Sequence, residues 1–291
     1  MKLLIQLNFG LLGNFYLSTT QLLDFTNYYK NLGYECHLIF ASNTNGRNGY
    51  GIFDIQFEEL FDTDDFKMFD SITTIEHAIT EKYYNEYICH SSNNPGQQWW
   101  DVFFNHQVND LYTSNFNHHD SKGFSRENGE PTFLPKFNKI VYEKVKEFRD
   151  KYPQIDSTIQ LRLYGYGDKE NFNLRLTQLY SELYESVKQS NRNFYLTSSC
   201  VSCLGDVVNL PNVYLFGNRK IEENLGDVNF YEIEGGREKQ LDILYNYIAE
   251  MVMITETNDV YYHSIHWPST FMYYGFVNNK NIKISHISVI D

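Results

Sequence analysis

One stretch near the middle of the chain, Ile159 to Asp168 (I-Q-L-R-L-Y-G-Y-G-D), limits the possible folds more than any other. A short apolar strand carries Arg162 into a turn bounded by Gly165 and Gly167. Phe172, Leu176, Leu179, Leu183 and Val187 then recur at helical spacing, and a second apolar run, Phe194 to Thr197, follows. Strand, polar turn, helix and strand in that order predict a βαβ unit, and in such sheets ligands sit where strand carboxyl ends meet helix amino ends. A guanidinium at that position points to a bound phosphate.

The start of the chain has the same arrangement. Leu3 to Asn8 reads as a strand, and Phe9 to Asn14 (F-G-L-L-G-N) as a tight turn permitted by Gly10 and Gly13. A helix should follow, capped by Ser18, Thr19 or Thr20, with Leu22, Phe25, Tyr29 and Leu32 on its apolar face and Gly33 at its end. Tyr34 to Phe40 is then a second strand. Between the two βαβ starts, Ser121 to Pro135 is charged, carries Gly123, Gly129, Pro131 and Pro135, and has no period, which fits an interdomain linker. The remainder alternates: a helix from Phe137 closed by Pro153, a strand at Val213 to Phe216, a helix at Lys239 to Glu250, a strand at Met251 to Thr255, a helix at Trp267 to Phe276 and a strand at Ile282 to Val289. Such alternation predicts parallel sheets covered on both faces. The expected fold is therefore α/β, with two Rossmann-like domains, residues 1–134 and 135–291, facing across a cleft.

Composition narrows the partners. The formal charge of −13 argues against nucleic acid and against anionic membranes, whereas a small phosphorylated ligand needs only one or two placed cations. Four cysteines in 291 residues are too few for a disulfide framework and predict reduced thiols and a cytoplasmic location. The opening M-K-L-L-I-Q-L-N-F-G is interrupted by Gln6 and Asn8, so it reads as a buried strand rather than a signal peptide. No apolar run reaches the roughly 18 residues that span a bilayer, so no membrane insertion is expected. The 24 tyrosines and 22 phenylalanines are expected mostly in cores.

Among possible chemistries, a dehydrogenase is disfavoured. The first turn lacks the G-x-G-x-x-G spacing, and the second strand ends in Phe40-Ala41-Ser42 with no acidic residue for a ribose. Cys200 and Cys203 form a C-x-x-C without a second pair, and His118, His119 and Asp120 are adjacent loop residues, so neither set predicts a metal. His263 and His266 approach Trp267-Pro268-Ser269-Thr270 and are candidates for ligand contact. If Met251 to Thr255 is a strand, its carboxyl end runs into Glu256-Thr257-Asn258-Asp259. Glu256 would then accept sugar hydroxyls, and Thr255, Thr257 and Asn258 would donate to phosphate, unless Asn258 or Asp259 caps a helix. Thr197-Ser198-Ser199 offers a similar polar rim for a base.

Taken in order, these motifs resemble the fucosyltransferase-like glycosyltransferases of GT-B architecture, the group of bacterial α-1,2- and α-1,6-fucosyltransferases and protein O-fucosyltransferases. Their opening G-G-L-G-N-Q turn is similar to Phe9 to Asn14, and their donor strand, His-x-Arg-Arg-Gly-Asp, to Gln160 through Asp168. Their Ser-Asp-Asp strand end aligns with Thr197-Ser198-Ser199, and their late Ser-Asn-Ser-Ser-Phe turn with Thr255 to Asp259. Gln160 replaces the histidine, the second arginine is absent and the paired acids are missing. The resemblance implies a donor domain at residues 135–291, and a nucleotide-sugar bound by Arg162, Tyr164, Gly167, Asp168 and the two polar rims of that domain together with Gly13 and Asn14 of the opening turn. Residues 1–134 would hold the glycan or glycoprotein acceptor. It further implies inverting transfer with no metal or other cofactor, Arg162 offsetting diphosphate charge and an acid of the first domain acting as base. Asp70 leads the candidates for that base, then Asp101 after Trp99-Trp100, with Glu76-His77 behind them. The missing arginine leaves the donor open between GDP-fucose and a UDP-sugar such as UDP-xylose. A non-catalytic nucleotide-sugar or glycan-binding module and another nucleotide-using α/β enzyme, such as an epimerase, are the competing readings.

Overall fold

The computed structural model of the protein describes residues 2–8, 12–41, 55–74, 88–91, 131–162, 181–198, 202–216, 235–264 and 270–290. The chain forms two compact units, Met1–Lys139 with Asn229–Leu241, and Ile140–Val228 with Asp242–Asp291.

The first unit is built on strands β1 (Lys2–Asn8), β2 (Glu35–Ala41), β3 (Ser71–Thr74) and β4 (Ile88–Ser91). They form a parallel sheet in the order β3-β2-β1-β4. Helix α1 (Leu12–Asn31) crosses from β1 to β2, and Tyr16, Leu22, Leu23 and Phe25 on it are fully buried. The helix begins at Leu12, so Gly13 and Asn14 belong to its first turn, and Ser18, Thr19 and Thr20, expected as caps, lie inside it. Thr19 and Thr20 are buried. Its end is as expected: Gly33 adopts φ 84° and its N–H donates to the Lys30 carbonyl at 2.9 Å, a left-handed stop that glycine adopts without strain. A short helix α2 (Phe57–Leu60) and a 3-10 turn (Thr63–Phe66) precede β3. Here the aromatic excess finds its use: Phe57 meets Phe66 edge-on at 4.6 Å, and Phe61 stacks on Phe137 at 5.4 Å.

In the second unit, α3 (Lys139–Lys151) leads to β5 (Ser157–Arg162), helical residues 181–189, β6 (Phe194–Ser198) and β7 (Val213–Leu215). Then come α4 (Gly236–Val252), whose residues up to Leu241 group with the first unit, a 3-10 turn (Met253–Glu256), β8 (Asp259–Ser264), α5 (Thr270–Asn278) and β9 (Lys283–His286). The sheet is parallel throughout, in the order β7-β6-β5-β8-β9. Alternation along each strand divides its side chains between two faces. Ile159, Leu161, Phe194 and Leu196 pack with Leu183, Val187, Leu204 and Val207 on one face. On the other, Tyr195 meets Phe148 of α3 at 5.9 Å.

Two sequence expectations fail in this unit. Met251 to Thr255 is not a strand; α4 continues through Val252 and tightens into the 3-10 turn. Met251 to Ile254 are all but completely buried, and a wholly apolar run of that length has no period to separate helix from strand. The strand is instead Asp259–Ser264, rich in the β-branched and aromatic residues Val260, Tyr261 and Tyr262. The final strand is also shorter than expected, because His286 caps a 3-10 turn at Ile287–Val289 by accepting from the Ser288 N–H.

Candidate functional site at the carboxyl edge of the second sheet

In a parallel sheet every strand carboxyl end lies on one edge, so register decides which residues meet there. Leu161 of β5 stands between Ser198 of β6 and His263 of β8, and Arg162 pairs with Ser264. Arg162, the last residue of its strand, therefore shares an edge with Thr197 and Ser198. His263, a candidate for ligand contact from the sequence, and Ser264, which no motif singles out, complete that edge; the signal for Ser264 is the Val-Tyr-Tyr run that makes β8.

Beneath this edge lies a polar layer. Thr197 is buried and its hydroxyl donates to Oε2 of Glu250 at 3.3 Å, while the Tyr195 hydroxyl donates to the Glu250 carbonyl at 3.0 Å. Glu250, on α4, is only 3% exposed. A carboxylate in such a position is retained only with polar partners, which β6 helps to supply. Gln160 is likewise buried, next to Thr197 in register.

The rim expected from Thr255 to Asp259 is elsewhere. Thr255 to Asn258 precede β8 and Asp259 begins it, so they stand at the amino edge of the sheet, roughly 17 Å of strand away from Ser264. Their polar groups join neighbouring elements. Thr257 and Thr158 share a hydroxyl contact of 2.7 Å, and the Thr255 hydroxyl donates to the Val252 carbonyl at 2.8 Å. Asn279 donates to the carbonyls of Thr255 and Thr257 and to the side chain of Asn258. The Arg192 guanidinium bridges Asp259 at 2.8 Å and the Ser157 hydroxyl at 3.0 Å. Glu256 ends the 3-10 turn on this side.

In the first unit, Gly13 and Asn14 follow the carboxyl end of β1, whereas Asp70 lies just before β3, at the amino edge. The Asp70 carboxylate accepts two hydrogen bonds from Lys30, at 2.9 and 2.8 Å, and one from the Cys36 N–H at 2.7 Å. Burial pushes this carboxyl up, but the Lys30 and Cys36 hydrogen bonds and the Lys30 charge together outweigh it and hold Asp70 below the ordinary carboxylate range. Beside it, burial pushes the Cys36 thiol up to about 11, which makes it an unreactive core residue. These bonds join α1, β2 and β3, away from the edge where a ligand of such a sheet sits. Asp101, Tyr164, Gly167, Asp168 and Ser199 lie outside the described residues, as do Glu76-His77, the His118-His119-Asp120 run and His266. Elsewhere in the first unit, a depression of about 340 Å³ lies between Leu23 and Asn27 of α1, Asp64, Asp65, Lys67 and Met68, and Phe133 to Pro135; none of the expected site residues lines it.

No protein-family model matches the sequence, and no curated protein does. Solved structures do match. The fucosyltransferase NodZ from Bradyrhizobium aligns over 95% of this chain and 93% of its own, with a TM-score of 0.50 and 11% identity. NodZ α-1,6-fucosyltransferase co-crystallised with GDP gives a TM-score of 0.51 at 11% identity, covering 95% of this chain and 92% of that one. The same enzyme soaked with GDP-fucose gives 0.50 at 12% identity, over 96% and 93%. At these identities the likeness is one of fold: the chain shares the fucosyltransferase fold and is far diverged from it in sequence. No described helix is long and apolar enough to cross a membrane.

Proposed function

We propose that the protein is a glycosyltransferase that moves a sugar from a nucleoside-diphosphate donor to a hydroxyl of a glycan, with inversion and without a metal. The observation that carries the reading is the carboxyl edge of the second sheet, where Arg162 ends β5 in register with Ser264 and beside Thr197 and Ser198. The fold shared with a transferase co-crystallised with GDP supports it. In the reaction the acceptor oxygen bonds to the anomeric carbon as the bond from that carbon to the diphosphate breaks. The acceptor proton passes to a carboxylate, and negative charge grows on the leaving diphosphate. Arg162 offsets that charge, and Thr197 and Ser198 supply hydroxyls for the nucleoside.

For the base, Asp101 takes precedence over Asp70, whose carboxylate is engaged by Lys30 and Cys36 at the amino edge of the first sheet. Given the fold, the donor to test first is GDP-fucose, with UDP-xylose as the comparison. Melting the purified protein with GDP, UDP and their sugars, each with and without EDTA, tests the reading. A ligand at a hundred times its Kd stabilises the native state by about 2.7 kcal/mol, which a melting curve resolves readily. Stabilisation by a guanosine or uridine nucleotide that persists in EDTA is the expected result. Stabilisation by none of them would remove the donor site, and stabilisation abolished by EDTA would remove the metal-free mechanism.

A further inference from the structure

The depression of about 340 Å³ beside α1 has no role in the proposed reaction. That volume is at the small end of the roughly 300–1,000 Å³ typical of ligand sites, enough for a small ligand or one segment of a larger one. Its lining is of two kinds. Phe133 and Leu134, both half-buried, form an apolar wall, and Phe133, unlike Phe61 on Phe137, makes no ring contact among the described residues. Facing ligand space with them is Asn27, half-buried, whose side chain makes no hydrogen bond among the described residues. Asp65 accepts from the Lys136 N–H through Oδ2 at 2.7 Å, which leaves Oδ1 as an acceptor. Asp64 and Lys67 pair at 2.8 Å and neutralise each other. Charge then selects the occupant. With the rim lysine paired, the remaining charge is the Asp65 carboxylate, on a protein of formal charge −13, so phosphate, sulfate and acidic sugars are repelled. A cationic segment would meet Lys67 at the same rim. An amide and a carboxylate oxygen beside an apolar wall complement a neutral ring with hydroxyls on its edge and C–H groups on its face.

We infer that this depression binds a neutral sugar of the acceptor glycan, remote from the hydroxyl that reacts, with Asn27 and Asp65 holding its hydroxyls and Phe133 packing against its ring face. That the glycan is an acceptor rests on the glycosyltransferase reading above. The remoteness follows from the fold of the first unit. Helix α1 runs from the carboxyl end of β1 to the amino end of β2, and Asn27 lies in its last turns; Asp64 and Asp65 belong to the 3-10 turn that precedes β3. The depression therefore lies toward the amino edge of the first sheet, whereas a reacting ligand sits at a carboxyl edge. Binding energy from a part of the substrate that does not react favours acceptors long enough to reach it.

The test reads glycan binding directly, with no donor present. An array of neutral tetrasaccharides of glucose, galactose, mannose and N-acetylglucosamine, with sialylated and sulfated counterparts and tetralysine, is probed with the native protein, Asn27→Ala and Phe133→Ala. The strongest neutral binder is then titrated by calorimetry, and GDP separately. The expected result is a preference for a neutral tetrasaccharide, an affinity weakened about fivefold or more in each variant, and an unchanged GDP affinity. Asn27 has no hydrogen bond to lose and alanine is the better helix former, so Asn27→Ala keeps or raises the Tm and decides the matter should Phe133→Ala not fold. Glycan binding by Asn27→Ala equal to that of the native protein would overturn the inference, as would a preference for acidic glycans or for tetralysine. If the native protein binds GDP but no neutral glycan, the inference fails while the donor site stands. If it binds a neutral glycan that the variants lose, but no nucleotide, the sugar site stands and the donor-site reading fails. If it binds neither, both fail.

Discussion

Asp70 illustrates how little a residue type reveals without its neighbours. In the sequence it is a carboxylate beside an aromatic patch; in the fold it joins Lys30 of α1 to the Cys36 N–H near the start of β2. Because those bonds hold its folded pKa below the ordinary value, their stabilisation is present above about pH 3.9 and is lost as pH falls through the lower folded value. Asp70→Asn should therefore melt below the native protein at pH 7, and the gap in Tm should close as the pH falls below about 4. It should leave GDP binding intact. A gap that persists unchanged into acid would contradict this role, and lost binding would return Asp70 to the site. Gln160 gives the converse lesson. Its place on an apolar strand was visible at once, but that its carbonyl lacks a partner among the described residues is a tertiary fact that no spacing encodes.

Among the elements, both βαβ starts were legible because glycine turns, helical spacing and apolar strands agreed with one another. The stretch from Met251 to Ser264 was not. Two short apolar runs flank a polar one there, and periodicity cannot tell a buried helix end from a strand. Choosing the first run as the strand moved Thr255 to Asp259 to the wrong edge of the sheet and left Ser264 unassigned. The crossover that replaced it depends on Gly275 of α5: a Cβ there would collide with Ile254 of the 3-10 turn and lie 3.1 Å from Ile282. Overpacking of this kind costs about 1–3 kcal/mol, more than the roughly 1 kcal/mol that alanine gains over glycine in a helix. Gly275→Ala should thus lower stability in urea, and combining it with Ile254→Ala, which removes the colliding Cγ2, should cost less than the sum of the two single losses. Additive losses would mean that the two residues do not compete for the same space.

At the level of the whole molecule, two units each built on a parallel sheet answer the α/β expectation, and the match to NodZ over nearly the full chain extends it to a known architecture. The second unit is not continuous in sequence as expected, since Asn229–Leu241 groups with the first. Nothing in local composition marks such a return, because it is set by contacts between residues distant along the chain. In the proposed function the donor belongs to the second unit, and its phosphates depend on one arginine rather than the pair in the resembling family. Charge-assisted hydrogen bonds of this kind contribute about 1.5–3 kcal/mol each, so in this proposal donor binding turns on Arg162. The most direct measurement is calorimetric titration of GDP into the native protein and into Arg162→Ala in the presence of EDTA, with Tm recorded for both. Saturable binding by the native protein, weakened at least tenfold in a variant of unchanged Tm, is the predicted result. Equal affinity in the two proteins, or no binding by the native one, would contradict the assignment of a donor-diphosphate site to the end of β5.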